Sequence, residues 1–234
     1  MAEDRRFTQP LYTFSEAARY VGMSPSTLAS WAKGYTRHFP GRPTVSKGPI
    51  ITSLPTPPGA ERVPFIGLVE ATVVQAFRQT GLPLQRIRRA LEELDAQGEL
   101  EHALASKRLF TDGAQILYDY AESVGDRALR LLTLTEVTSG QRVFHEVIVD
   151  YLQRITFEDT WATGLALPIT PEPVLYVRPD VASGDPLFVH GGAPLSAVLS
   201  RRRAGESVSS IADDYDIPVS DIEAALGALL PAAA

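Results

Sequence analysis

Apolar residues recur at helical spacing in two short runs near the N-terminus, and the polar residues around them punctuate those runs. Ala17, Ala18 and Val21 share one face of a predicted helix, with Ser15 as a candidate N-cap and Glu16 in the first turn. Gly22 can stop that helix, because it tolerates a left-handed backbone. Ser24 then caps a second helix, and Pro25 sits at its first position, where a missing N–H costs nothing. Leu28 and Trp31 point inward at i, i+3 spacing. Ser26, Thr27, Ser30 and Lys33 are left outside, and Gly34 ends the unit. Small inward residues on the first helix let the second cross it closely. The spacing over 12–33 therefore predicts a helix-turn-helix.

Residues 36–64 are broken by Pro40, Gly41, Pro43, Gly48, Pro49, Pro55, Pro57, Pro58, Gly59 and Pro64, which predicts a loop or an irregular wing. Helical spacing returns with Ile66, Val69, Val73, Ala76 and Phe77, and Gly81 ends that run. Pro83 opens a further helix with Leu84, Ile87, Leu91 and Leu94 at 3-4-3 spacing, a stripe suited to core packing or to a partner helix. From about 107 the pattern is mixed. Asp112-Gly113 predicts a hairpin, residues 129–135 a strand, and Phe144, Val147, Ile148, Tyr151, Leu152 and Ile155 a helix. Residues 155–169 can form a second small hairpin, and Pro168, Pro171 and Pro173 mark a boundary. The tail reads as three helices: Pro194 to Ala204, Val208 to Tyr215 behind the Ser207 cap, and Val219 to Leu229 behind Pro218. The expected fold is mainly α with an α+β middle carrying small β hairpins. Its regions are an N-terminal unit with wing or linker (1–64), a middle block (65–170) and a C-terminal helical, helix-turn-helix-like domain (171–234).

Charge sharpens this picture. Residues 1–50 carry seven Lys and Arg against three Asp and Glu, a local +4 in a chain whose net charge is −6. That asymmetry is expected of a nucleic-acid-binding end on a non-binding body. It makes Ser26, Thr27, Ser30 and Lys33 the candidates for the major groove, with Arg5, Arg6, Arg37 and Arg42 reaching phosphates. The tail has a similar helical shape, but Asp213, Asp214, Asp216, Asp221 and Glu223 would repel phosphate, so a protein partner or a second copy fits it better. A homodimer is expected, with the Leu84 stripe as its first candidate interface. There is no cysteine, which excludes disulfides and thiolate chemistry. The N-terminus has no apolar signal core and no run reaches membrane-spanning length, so a cytoplasmic protein without membrane contact is expected. His38, His102, His145 and His190 show no metal-ligand spacing, and neither a Gly-x-Ser-x-Gly elbow nor a phosphate loop is present. No enzyme and no cofactor is expected. Two non-enzymatic classes stay open. One is a DNA-binding protein that neutralises a partner. The other is a one-component regulator whose middle block, with Tyr118, Tyr151, Phe157 and Trp161, lines a small-molecule pocket.

These residues also carry a resemblance. The segment 12–34 resembles the helix-turn-helix of MerR-like regulators. The tail resembles the small trihelical domain of undefined function found in many bacterial antitoxins, through Gly184–Pro186, Gly191–Pro194, Ala204–Ser207 and Ile211–Tyr215. Together the two ends are similar to long VapB-type antitoxins. The resemblance implies two tasks: binding the operon's own promoter DNA, and neutralising a PIN-domain ribonuclease toxin. A PIN-type site is a cluster of carboxylates around magnesium, so a guanidinium is its natural blocker. That makes Arg201, Arg202 and Arg203 the candidate toxin-binding group, unless Asp213 or Asp214 ties them up internally. Relatives carry Gly-Thr-Arg before the proline where this chain has Gly191-Gly192-Ala193-Pro194, so that arginine's contact is absent here.

Overall fold

The computed structural model describes residues 4–39, 41–96, 102–107 and 150–230. The chain divides into two compact units: Met1–Leu68 with Thr163–Ala234, and Val69–Ala162.

The first unit begins with α1 (Arg5–Thr8), capped by Asp4. An extended segment follows, in which Tyr12 pairs with Val63. Next come α2 (Phe14–Val21) and α3 (Pro25–Lys33). The cap of α2 is Thr13 rather than Ser15. Thr13 Oγ1 accepts the Glu16 N–H at 3.2 Å and the Glu16 carboxylate accepts the Thr13 N–H at 2.9 Å. This reciprocal box satisfies two of the unpaired donors at the helix start, which Ser15 could not do with the same glutamate. Gly22 closes α2 in the left-handed region at φ 74, Ser24 caps α3 through the Thr27 N–H, and Pro25 opens it, as the sequence predicts. Ala17, Ala18, Val21, Leu28, Trp31 and Ala32 are buried between the helices.

Gly34 turns the chain into β1 (Tyr35–Phe39), which pairs antiparallel with β2 (Arg42–Lys47). Residues 35–47 thus form a two-stranded ribbon, the wing rather than the linker reading. Pro43 is accommodated because such a ribbon has unpaired edges. Gly34 holds φ 72, ψ −174, and a Cβ there would overlap the Lys47 carbonyl and approach the Gly48 carbonyl carbon to 2.8 Å. Only glycine meets both demands. The chain then returns beneath α3. The Ile50 N–H donates to the Trp31 carbonyl at 2.8 Å and the Ser53 hydroxyl to the Ala32 carbonyl at 3.2 Å. Helix α4 (Phe65–Gln79) starts in this unit and continues into the second.

The C-terminal part of the first unit holds most of β4 (Trp161–Ala166), then β5 (Leu175–Val177) and the short β6 (Leu187–Phe188), successive antiparallel neighbours. Three helices follow: α6 (Leu195–Arg203), α7 (Val208–Tyr215) and α8 (Val219–Leu229). Ser207 caps α7 by accepting the Ser210 N–H at 3.1 Å. Val198, Ile211, Ile222 and Ala225 form the buried seam of this trihelical group. The turn before β6 meets the N-terminal segment through Tyr12, whose hydroxyl donates to the Gly184 carbonyl at 2.9 Å across 172 residues of sequence.

The second unit contains the rest of α4, then α5 (Leu84–Ala96), a 3-10 turn at Ala103–Ala105, a helical turn at 150–153, and β3 (Ile155–Glu158). Ile155 stands in a strand, not in the predicted helix, because the chain turns at Asp159 and Thr160 into β4 as the 155–169 hairpin reading requires. Of the 3-4-3 stripe, Ile87 is 2% exposed within the chain, while Leu84 and Leu91 are half-buried. The Asp112-Gly113 hairpin, the 129–135 strand, and Phe144, Val147 and Ile148 lie outside the described residues. Among the described residues, no helix is long and apolar enough to cross a membrane.

Candidate nucleic-acid interface

Helix α3 is amphipathic in the sense that DNA reading requires. Its inner face is covered, while Ser26, Thr27 and Lys33 are exposed and Ser30 is half-buried. The hydroxyls at its N-terminus form a cluster, with Ser24 Oγ 3.1 Å from Ser26 Oγ and 2.8 Å from Thr27 Oγ1. The Lys33 ammonium lies 5.3 Å from the Phe14 ring centroid, and the Arg62 guanidinium 5.1 Å from the same centroid. This contact holds the Lys33 ammonium beside α2, and the side chain stays exposed. The structure therefore gathers the four predicted α3 residues on one helix, with both ends of that helix fixed.

The predicted phosphate contacts fall in two places. Arg37 and Arg42 are on the ribbon directly after α3, on β1 and β2 respectively. Arg5 and Arg6 are on α1. Arg5 is exposed, but Arg6 is held by Asp4, with Nη2 2.6 Å from Oδ2 and Nε 2.9 Å from the same oxygen. The Arg6 side chain, through its hydrogen bond above all, holds the Asp4 carboxyl below the usual carboxylate range. Arg6 thus serves first to neutralise the α1 cap, and Arg5 is the more available cation of the two.

Read as a wing, the sequence places Arg37, His38, Arg42 and Lys47 toward phosphates, but it leaves Thr36, Thr44 and Ser46 unremarked. Thr36 and His38 on β1, and Thr44 and Ser46 on β2, are all exposed on the ribbon. Their i, i+2 spacing was the available signal, hidden by the prolines and glycine of the ribbon tip.

The C-terminal arginines are less alike than their spacing suggests. Arg201 Nη2 lies 2.5 Å from both Glu206 Oε2 and Asp214 Oδ2, and its guanidinium sits 5.2 Å from the Tyr215 ring centroid. Those hydrogen bonds, Glu206 first and Asp214 next, push the Arg201 guanidinium further above its ordinary range. Arg202 donates to the Glu206 carbonyl at the end of α6, and Arg203 is exposed. His190 Nδ1 lies 2.8 Å from Asp221 Oδ2, tying the turn after β6 to the first turn of α8. Asp213, Asp216 and Glu223 are exposed and Asp221 is half-buried, so α7 and α8 present an acidic surface, as the sequence implies.

The Tyr12 junction joins the two ends of this unit. Tyr12 packs edge-on against Tyr20 of α2, with centroids 5.8 Å apart. Burial above all pushes both phenols well above their ordinary range, and Asp185 and Glu16 act in the same direction. Both phenols therefore stay protonated, and Tyr12 donates to the Gly184 carbonyl.

Comparison with known proteins agrees with this division of parts. Residues 10–91 match a family described as "Putative DNA-binding HTH domain", and residues 176–227 match "Protein of unknown function (DUF433)". The chain is 41% identical to the Mycobacterium tuberculosis protein named "Putative antitoxin VapB45", over 96% of this chain and 95% of that one. It is 25% identical to "Uncharacterized protein Rv2308" of the same organism, over 92% of this chain and 88% of that one. The crystal structure of Rv2018 from Mycobacterium tuberculosis superposes with a TM-score of 0.71 at 35% identity, covering 94% of this chain and 99% of that one.

Proposed function

The chain belongs to the family of the protein named "Putative antitoxin VapB45", and from that premise we propose that it is a DNA-binding antitoxin that represses its own operon and neutralises a PIN-domain ribonuclease. The observation that carries the DNA half is α3: four short or cationic side chains on its outer face, within a segment of net charge +4. Ser26, Thr27 and Ser30 reach base edges in this reading, and Lys33, Arg37, Arg42 and Arg5 neutralise phosphates. A gel-shift titration of the region upstream of its own gene tests it. Lys33→Ala is expected to weaken binding roughly fivefold on specific and unrelated duplexes alike, and to lower the salt slope by about one. Unchanged affinity and slope would remove Lys33 from the interface.

The toxin half rests on the family and on the acidic and arginine-bearing surface of the C-terminal helices. Arg203 and the exposed Arg202 are the members of the arginine group that reach the toxin in this reading: Arg202 donates to a backbone carbonyl, that of Glu206, whereas Arg201 is committed to two carboxylates, Glu206 and Asp214. Co-expression with the product of the neighbouring reading frame tests it, with ribonuclease activity as the readout. Arg202→Ala with Arg203→Ala is expected to weaken inhibition about tenfold, two charge-assisted contacts being lost. Full inhibition by that variant would place the neutralising surface elsewhere.

A further inference from the structure

The two helix pairs of the first unit turn different faces outward. Helix α3 presents hydroxyls and a lysine, whereas α8 presents apolar and small residues. Val219 at its start is 40% exposed, Leu230 at its C-cap 41%, and Val189 in the turn after β6 51%. Among the described residues, these three are the exposed large apolar side chains, and all of them belong to the C-terminal group. Single exposed valines are ordinary on a protein surface, but a gathered set marks a contact surface.

The fold gathers them. Val219, Glu223, Leu226, Gly227 and Leu230 succeed one another at i, i+4, i+7, i+8 and i+11, a stripe set off from the buried Ile222, Ala225 and Leu229. His190 Nδ1 reaches Asp221 Oδ2 at 2.8 Å, which holds the turn that carries Val189 against the first turn of α8. Gly191 fixes the same corner, since a Cβ there would overlap the Tyr215 carbonyl. Gly227 adds a separate observation. It is exposed within a helix, where alanine would be more stable. A Cβ there would meet nothing within 4 Å, so no described neighbour requires glycine at this position. A surface approaching the helix backbone closely from outside would require it.

The charge around the stripe selects the partner. Residues 208–230 hold five carboxylates and no Lys, Arg or His. Arg201 engages Asp214, while Asp213, Asp216 and Glu223 are exposed. Such a rim repels nucleic acid and anionic membranes alike, and it complements a cationic protein surface. A ribonuclease must hold a polyanion, so the surface that takes its RNA is of that kind. We propose that the outer stripe of α8, with Val189 beside its first turn, docks on the cationic RNA-binding surface of the ribonuclease. Val219 and Leu230 supply the apolar centre of the contact, and Asp216 and Glu223 meet lysines or arginines at its rim. The carboxylates then stand where RNA phosphates would, and inhibition is exclusion of substrate. This rests on the toxin half of the reading above and gives α8 a role that the arginines of α6 do not cover.

The test is biolayer interferometry of the full chain with the purified product of the neighbouring reading frame, with thermal melts and light scattering on the same variants. Val219→Ser with Leu230→Ser is expected to weaken binding about tenfold, as loss of a central apolar contact does. The melt should hardly change, because both side chains are already exposed. Gly227→Ala should raise the melting temperature by about 2 °C. The same variant should weaken binding about fivefold, its methyl group keeping the two surfaces apart. A glycine needed only for folding would lower both together. Asp216→Asn with Glu223→Gln should slow association about tenfold and flatten its dependence on salt, and asparagine suits the left-handed backbone at 216. Unchanged affinity in the Val219/Leu230 or Gly227 variants, or an unchanged salt dependence in the carboxylate variant, overturns the proposal while leaving the toxin reading in place. So does a fall in the mass of the chain alone in Val219→Ser with Leu230→Ser, which would assign the face to a second copy. Failure of the unaltered chain to bind that product at low salt overturns the toxin reading itself, and this proposal with it.

Discussion

Gly34→Ala is expected to destabilise the first unit by about 3 kcal/mol and to lower its melting temperature by roughly 10 °C. Two costs combine. The backbone at φ 72, ψ −174 lies in a region that is essentially closed to residues with a Cβ. The added carbon would also overlap the Lys47 carbonyl and crowd the Gly48 backbone, neither of which can swing aside as a flexible side chain would. Relief requires the ribbon to move away from α3, so DNA affinity should fall along with stability. Gly41→Ala is the internal control. Gly41 also has positive φ, at 70, but a Cβ there meets nothing within 4 Å. It should cost only about 1 kcal/mol, the backbone term alone. Thermal melts of the two variants separate strain from overlap. Equal, small losses would show that the ribbon base is loose enough to absorb a methyl group.

The parts of this fold that were legible in the sequence are those decided within four or five residues. Ser24 with Pro25, Gly22 and Ser207 each set a helix boundary by one local hydrogen bond or one allowed backbone region, and each stands where the pattern puts it. The α2 cap was misplaced because Ser15 and Thr13 both suit the role. The choice falls to the spacing of Glu16, three residues after Thr13. The ribbon was half legible. Its prolines and glycine announce a break, yet they also interrupt the alternation of Thr36, His38, Thr44 and Ser46 that makes it a polar face. Two features were not settled by any local signal. The sequence allows Asp213 or Asp214 to tie up any of Arg201, Arg202 and Arg203, and only the fold shows that Arg201 is the one paired, with Asp214 and with Glu206. Likewise nothing near Tyr12 announces Gly184, because the contact depends on where two distant segments meet.

That contact carries the largest consequence. Deleting the chain from residue 171 onward is expected to reduce DNA affinity at least tenfold, although the deletion spares the whole helix-turn-helix and ribbon. Tyr12 and Leu11 are the reason. Tyr12 is 3% exposed, its backbone pairs with Val63, and its ring packs on Tyr20 of α2. Gly184 takes φ 80, between Ser183 at φ 54 and Asp185, and a Cβ there would lie 2.9 Å from both the Tyr12 hydroxyl and a Leu11 methyl. Removing that partner uncovers an aromatic ring and leaves a phenol without its acceptor, at the point where the chain enters α2. Because α2 sets the position of α3, the loss should reach the recognition surface. Point variants isolate the contact. Tyr12→Phe should cost about 1–2 kcal/mol by leaving the Gly184 carbonyl unpaired. Gly184→Ala should cost about 2 kcal/mol, from backbone strain and from crowding the hydroxyl. The two should not add: with the hydroxyl gone, the methyl group introduced by Gly184→Ala loses one of its two close contacts and keeps only the flexible Leu11 side chain, so the double variant should be about 1 kcal/mol more stable than the sum implies. Denaturant melts of the four proteins measure this coupling. Strict additivity, together with full DNA affinity in the deleted chain, would show that the N-terminal unit stands without its C-terminal partner.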